Sequence, residues 1–531
     1  MTNGYDVPSC RLAEIVAAMP DKADSFVFAR RQSGMEKVSY SDVHRDALAV
    51  AAVLCARGVG PGDRVAIHGV TSYEWLLADL GCLLAGAVSV ALYPSSPPVR
   101  VVAAARESRC RCVFTDRREV ADALLGEGTE VLALHSLGEI AATFRGAPVP
   151  AGARDGEPFT VVSTSGTLSE PKLFSVHSAP LLYTMDRFAE IYRIGGQDRL
   201  LLYLPLSHLP QRMMVYWGLG VGMDLILSDP AHIEADTADL APTLHVAVPR
   251  SLKHLQWRAE EAFRRGRFAT AEQAYRMTFG ESVRAIFVGS APSEAVMLSR
   301  MLAAGVPVYE VYGTTELGMI AVNTPDANRP GTVGRPIPWG TVRIDPATAE
   351  IMVRTPTPFR CGRLRGGEIV PETRSAWDWL PTGDVGRFDG DGYLSVRGRL
   401  RDFLVLGNGE KVFLRPIEDA VVLATGAAYC VVDRYTDARL GALLFFDPGS
   451  TREPGSTREP AAFEEWCGDR LDEVNRRLHP WERIRAFSVV PRIPSIEEGS
   501  LTETMKLRRH RIAELHGRTA CWHRVRSREP I

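Results

Sequence analysis

At 531 residues, with 45% apolar and 24% charged side chains, the chain exceeds one core and has the composition of a soluble globular protein of two or more domains. A net charge of −2 exerts no global pull on nucleic acid or anionic membrane. Nine scattered cysteines include no Cys-x-x-Cys pair, and Cys110 and Cys112 have no partner ligands at metal spacing, which fits buried or free thiols in a reducing compartment.

Met1 to Arg11 is polar and lacks an export-type apolar segment, so a cytoplasmic location is expected. From Tyr40 to Gly58 apolar residues recur at helical spacing, with Ser41 as the expected N-cap. After the turn Gly60-Pro61-Gly62-Asp63 comes a strand over Arg64 to His68. The apolar stretch Trp75 to Pro94 carries Asp79 and two glycines, and divides into a helix (Tyr73 to Leu84) and a strand (Ala87 to Leu92) rather than a membrane span. Another helix and a strand over Arg111 to Thr115 continue a βαβ rhythm, which calls for a largely parallel sheet covered by helices. Gly146 to Glu157 reads as a linker.

Beyond it a β-branched strand, Phe159 to Val162, runs into Thr164-Ser165-Gly166-Thr167-Leu168-Ser169-Glu170-Pro171-Lys172. Hydroxyls, a glycine and a terminal lysine are what a phosphate needs: small residues admit backbone N–H groups and lysine adds charge. Alone, the loop reads better as a Ser/Thr-rich surface turn than as an anion site, and it is no Walker A motif. A helix (Ala179 to Tyr192), the segment Tyr203-Leu-Pro-Leu-Ser-His208 and an apolar helix from Met213 to Leu219 follow. Val246 to Arg250 ends a short strand, and residues 253 to 276 read as a surface helical insertion. Next come the strand Val283 to Val288 with Gly289-Ser290-Ala291-Pro292, a helix from Glu294 to Ala304, and the strand Val306 to Val311 with Tyr312-Gly313-Thr314-Thr315-Glu316. Both strands end in small-residue loops, where open α/β sheets place ligands. From Asp326 to about Arg399, Gly/Pro-punctuated short strands predict a β-rich subdomain. A new unit starts at Leu400 and contains the duplicated hexapeptide Gly449 to Pro454 and Gly455 to Pro460, expected to be a surface loop.

Five ordered stretches resemble the adenylate-forming (ANL) superfamily of acyl- and aryl-CoA ligases, luciferases and adenylation domains. They are the Thr164 to Lys172 loop; Pro205-x-x-His208; Tyr312 to Glu316; Thr382-Gly383-Asp384 with Gly398-Arg399; and Leu501-Thr-Glu-Thr-Met-Lys506. Val248-Pro-Arg250, Asn408-Gly-Glu-Lys411 and Thr504 to Arg509 look like the long-chain acyl-CoA ligase branch. The resemblance implies an α/β fold: a large N-terminal domain (residues 1–398) of parallel α/β sheets with a β-rich subdomain, then a small mobile α+β domain (residues 399–531).

It also implies an enzyme that activates an aryl or fatty acid with ATP, releasing pyrophosphate, and passes it to CoA or a carrier protein's thiol. Thr164, Ser165, Gly166, Thr167 and Lys172 are then the phosphate loop. Gly289, Ser290, Ala291, Pro292 and Tyr312 enclose adenine, with Tyr312 stacking and Gly313 in the turn beyond it. Thr315 touches the α-phosphate and Glu316 holds Mg²⁺. Asp384 takes the ribose hydroxyls, Arg399 meets ribose or phosphate, and Lys506 reaches the α-phosphate and the carboxylate. His208 is an acyl-pocket residue or a core histidine, and Met213, Met214, Tyr216 and Trp217 line a pocket or the core.

The pattern departs from the family at Leu168-Ser169 and Leu173 in the phosphate loop, at Arg401 in the hinge, and at Leu414 where proline is usual. These departures leave room for a second reading, activation of nitrite for diazotisation of an arylamine; a third, a non-catalytic nucleotide-binding homologue, is opposed by intact Glu316, Asp384 and Lys506. Neither involves nucleic acid.

Overall fold

Strands buried on both faces need helices above and below them, and the apolar runs Val88–Leu92 and Cys112–Thr115 are buried along their whole length. The computed structural model describes residues 11–31, 34–149, 158–164, 172–291, 293–337, 341–355, 359–375, 377–400, 403–407, 410–436, 439–446, 460–502, 507–517 and 521–525. Two large sheets organise the first three-quarters of the chain. In the eight-stranded sheet, Glu130–Leu132, Cys112–Thr115, Arg64–His68, Val88–Leu92 and Thr160–Thr164 lie parallel and in that spatial order. Lys172–Val176, Phe359–Arg365 and Glu368–Arg374 extend it antiparallel.

In the nine-stranded sheet six parallel strands run in the order Phe26–Arg31, Asp224–Leu227, Arg199–Leu202, Leu244–Ala247, Ala285–Val288 and Val308–Thr314. Gly34–Ser39 closes one edge; Gly318–Val322 and Arg335–Pro336 close the other. One continuous core joins the sheets. It includes Ile67 and Ala91 of the first, Leu200 and Ile226 of the second, and Trp75, Leu80, Tyr216 and Leu219 of the helices Tyr73–Leu84 and Leu209–Val221.

Three sequence expectations change in detail. The first helix begins at Tyr40, so its N-cap is Ser39 rather than Ser41: Ser39 is extended (φ −68°, ψ 151°) and its Oγ accepts the Asp42 N–H at 3.1 Å. Pro249 and Arg250 open a helix, Pro249–Arg264, because proline's missing N–H costs nothing in a first turn. That helix and Ala271–Phe279 form the insertion expected at 253 to 276. The β-rich stretch after Asp326 divides among three sheets. Thr341–Ile344, Glu350–Arg354, Leu380–Phe388 and Leu394–Arg399 form a four-stranded sheet, while Arg335–Pro336 and the 359–374 hairpin complete the two large ones.

Residues beyond 403 have a core of their own, including Ile417, Val421, Val432, Leu444, Cys467 and Phe487. It is packed by the helices Leu414–Thr425 and Pro460–Asn475 on a sheet of Tyr429–Thr436, Arg439–Phe445, Ile484–Val490 and His523–Arg524. Leu414, at the position where the family usually has proline, is buried in that core.

His245, in the middle of the nine-stranded sheet, is fully buried, and neither ring nitrogen has a hydrogen-bond partner among the described residues. Burial pushes its imidazole down from 6.5 to about 3. A histidine depressed in the folded state supplies stability at pH above its unfolded value, and that stability drains away as the pH falls toward the folded one. Between pH 6.5 and 3 this one proton steepens acid unfolding by up to ~1.4 kcal/mol per pH unit. Urea titrations at stepped pH therefore give His245→Leu a shallower acid limb than the wild type, by one proton; parallel limbs would show that the ring is solvated.

Candidate active site

The best-formed corner of the site is built by three side chains from three strands. Asp384 lies in Leu380–Phe388, paired in register with Arg399 of Leu394–Arg399. Its Oδ2 accepts the Tyr312 hydroxyl at 2.7 Å, and its Oδ1 faces Arg399 Nε at 3.0 Å. The turn ahead of it is fixed by its own residues. Thr382 Oγ1 donates to the Ile351 carbonyl (2.8 Å) and accepts the Asp384 N–H (3.1 Å). Gly383 stands at φ +73°, a region a side chain disfavours, and its N–H donates to Glu350 Oε1 at 2.8 Å. Burial, then the Asp384 charge, raises the Tyr312 phenol above its ordinary range, so Tyr312 stays protonated and remains a donor. Stacking on a base was expected of the Tyr312 ring; the hydroxyl's bond to Asp384 engages the tip of the side chain and does not bear on that expectation.

Opposite this corner, Gly289, Ser290 and Ala291 leave the end of Ala285–Val288. A Cβ on Gly289 would stand 3.0 Å from the Val311 carbonyl oxygen, so the small residue lets the loop hug the neighbouring strand. Ser290 adopts φ +69°, and its Oγ hydrogen-bonds His208 Nε2 at 3.0 Å. His208 is half-buried at the head of Leu209–Val221. The turn before it is clamped: Gln211 Oε1 accepts the Leu204 N–H (3.1 Å), while Thr71 Oγ1 donates to the Leu204 carbonyl (2.7 Å). His208 therefore meets the predicted adenine loop, which its spacing alone did not show. Met213, Met214, Tyr216 and Trp217 are all buried in the core.

Glu316 and Thr315 are half-buried in the tight turn between Val308–Thr314 and Gly318–Val322. The Gly318 carbonyl oxygen fills the space a Cβ on Gly313 would need. The Glu316 charge reaches Cys361, whose thiol burial pushes up to about 12 with that carboxylate contributing. Cys361 Sγ in turn donates to the Ser175 carbonyl at 3.3 Å, in the strand Lys172–Val176 that follows the predicted phosphate loop in sequence. Thr164 pairs with Lys172 in backbone register, which closes that loop at its base. Ser165, Gly166, Thr167, Pro292, Arg401 and Lys506 lie outside the described residues, as do the side chains of Thr164 and Lys172. No group of three His, Cys, Asp or Glu among the described residues could hold a metal ion unaided. A single carboxylate such as Glu316 suits Mg²⁺, which takes one or two carboxylates and fills its shell with phosphate oxygens and water.

The segment bearing Lys506 is anchored on both sides. Leu501 and Leu507 form an antiparallel bridge, the Arg508 N–H donates to the Ser500 carbonyl at 2.8 Å, and Arg509 forms a two-pronged ion pair with buried Glu418. Across the two cores, Arg250 Nη1 donates to the Tyr429 hydroxyl at 2.9 Å.

Two buried charged residues, Glu310 and Arg212, escaped the sequence reading. Glu310 precedes Tyr312 by two residues in the same strand, and Arg212 and Asp79 pair at 3.2 Å in the core. Each betrays itself only as a charge inside an apolar run.

The AMP-binding enzyme family pattern matches residues 13–362. The chain is 27% identical to the long-chain-fatty-acid–CoA ligase FadD15 of Mycobacterium tuberculosis (strain ATCC 25618 / H37Rv), over 93% of each chain. It is 28% identical to 3-hydroxybenzoate–CoA ligase of Aromatoleum sp. (strain CIB), over 75% of this chain and 79% of that one. The structure of ATP-bound MatB from Rhodopseudomonas palustris superposes with a TM-score of 0.76 at 23% identity, covering 96% of this chain and 99% of that one. The anthranilate CoA ligase AuaEII in complex with anthranoyl-AMP gives 0.76 at 18% identity, covering 97% and 98%. At these identities the structural likenesses bear on the fold, and the family pattern carries the assignment. The chain belongs to the AMP-binding enzyme family, within the adenylate-forming superfamily that includes the long-chain acyl-CoA ligase branch.

Proposed function

We propose that the protein activates an aryl or fatty carboxylic acid with ATP and passes the acyl group to CoA or a carrier thiol. The observation that carries this reading is the pair of clusters on the neighbouring strands Ala285–Val288 and Val308–Thr314: Tyr312 with Asp384 and Arg399 at one, the Gly289–Ala291 loop with His208 beyond the other. A carboxylate oxygen of the acid attacks the α-phosphorus, the bond to the β-phosphate oxygen breaks, and pyrophosphate leaves. A thiolate then attacks the acyl carbon and AMP departs with the bonding pair. Both steps bring anions together, so positioning and charge neutralisation supply most of the catalysis.

In this reading Asp384 takes the ribose hydroxyls, since a carboxylate accepts several bonds at once. Arg399 and Tyr312 hold it in place. Gly289, Ser290, Ala291 and Pro292 flank the adenine, while Thr164, Ser165, Gly166, Thr167 and Lys172 receive the β- and γ-phosphates. Thr315 approaches the α-phosphate, and Glu316 holds Mg²⁺, which when bound neutralises phosphate charge. His208 borders the acid. Residues 1–398 and 399–531 act as two domains, and Lys506 is brought to the α-phosphate by the smaller one. No helix among the described residues is long and apolar enough to cross a membrane.

A pyrophosphate-release screen with ATP and Mg²⁺ over aryl acids, fatty acids, and nitrite plus arylamines tests the proposal. Release that depends on one class of carboxylic acid is the expected result. Release only with nitrite and an arylamine, or AMP binding without turnover on any acid, would replace it.

A further inference from the structure

Nucleotide recognition on this scaffold requires two separate corners, one at Gly289–Ala291 and one at Asp384, to keep a fixed spacing. We infer that Glu310 is the positioning residue that locks them together. Its Oε2 accepts the Gly331 N–H at 2.9 Å and its Oε1 accepts the Ser293 N–H at 3.4 Å. Ser293 follows directly on the loop beside His208.

Gly331 sits in a turn over residues 329–332 held by Asn323, whose Oδ1 accepts the Arg329 N–H (2.8 Å) and whose Nδ2 donates to the Thr332 carbonyl (2.7 Å). From there the connection reaches the ribose side. Arg329 pairs with Asp389 (2.5 Å) and Asp391 (2.8 Å), at the tip of the hairpin that carries Asp384 and Arg399. The Val333 N–H donates to the Leu394 carbonyl, and the Leu394 N–H to the Gly334 carbonyl, both at 2.8 Å.

A side chain of this size buried in the sheet would pack adequately as an aliphatic group. Glu310 is only 6% exposed, and burial pushes its carboxyl up to about 7, so the carboxylate is held there against a desolvation cost. What it supplies that an aliphatic residue cannot is two acceptor oxygens for N–H groups on two different loops. Substitution therefore lets the corners drift apart while the surrounding sheet persists.

The inference rests on the proposed nucleotide site, and its test separates the two. Calorimetry of the full chain with AMP is run on wild type, Glu310→Gln, Glu310→Ala and Asp384→Asn, beside thermal melting of each without nucleotide. Glu310→Ala, which loses both acceptors, is expected to weaken AMP binding about tenfold. Glu310→Gln, whose amide oxygen can keep one N–H, is expected to weaken it roughly threefold. A merely structural residue would lower the melting temperature and leave AMP affinity, measured well below melting, untouched. AMP affinity within about twofold of wild type in the folded Glu310 variants overturns the inference, with Glu310→Gln deciding alone if Glu310→Ala does not fold. An Asp384→Asn variant that also binds AMP normally would instead remove the nucleotide-site reading beneath it.

Discussion

Replacing Lys506 with alanine lowers acid-dependent pyrophosphate release by about 10²–10³-fold, whereas AMP binding stays within about threefold of wild type. The proposed step drives a carboxylate onto a phosphate, and the negative charge between them peaks as the new bond forms. A cation there does little for the ground state and much for the transition state, so its removal appears in the rate rather than in affinity. One unit charge at ~4 Å and an effective dielectric of ~20 is worth roughly 4 kcal/mol before desolvation, ample for the predicted loss. The anchoring of the segment supports this role. The Leu501–Leu507 bridge and the Arg509–Glu418 pair fix the chain on either side of Lys506. Lys506→Arg keeps the charge in a broader, planar head and is expected to recover only part of the rate. Pyrophosphate release near the wild-type rate by Lys506→Ala, on an acid that the screen has identified, would end the assignment.

Much of the frame could be read from patterning, because the sheets are built from local signals. Val88 to Leu92 stands out as a strand since it is a short β-branched apolar run, buried throughout, and Tyr73 to Leu84 as a helix that stops just before Gly86, which stands at φ +70°. Misreadings occur where a long-range partner decides. Ser39 and Ser41 are equally good caps by residue type, and the choice follows from pairing of Gly34–Ser39 with Phe26–Arg31, which keeps Ser39 extended. The 359–374 hairpin looks like its neighbours in composition, yet Cys361 pairs with Val176 and carries the hairpin onto the first large sheet. In the site, motif spacing named Asp384, Arg399 and Tyr312, but only the fold shows the tyrosine hydroxyl bound to the carboxylate. Glu310 was passed over for the same reason: its two acceptors serve backbone N–H groups 17 residues before it and 21 residues after it, which no local pattern can report.

Asp79→Ala is expected to cost about 3–5 kcal/mol of unfolding free energy. Arg212 is 1% exposed and Asp79 2%, so removing the carboxylate strands a guanidinium away from water. The carboxylate holds two partners: Arg212 Nε at 3.2 Å and the Tyr216 hydroxyl, which donates to Oδ2 at 2.6 Å. Arg212 also donates from Nη2 to Ser89 Oγ at 3.2 Å and lies over the rings of Phe159, Trp75 and Tyr216, with Cζ 5.4 to 6.0 Å from their centroids. Through these contacts it joins the helix that begins after His208 to Ser89, whose Oγ donates to Thr160 at the start of the strand entering the phosphate loop. The pair need not stabilise the fold in net terms, because desolvating two charges offsets most of their attraction. The double variant Asp79→Leu/Arg212→Met should therefore recover most of what Asp79→Ala loses in denaturant melts. If the pair's work is to hold two layers in register, the double variant, though stable, should show a looser phosphate site: weaker ATP binding with AMP affinity unchanged. Equal stability of Asp79→Ala and wild type would mean that Arg212 finds water or another acceptor within the core.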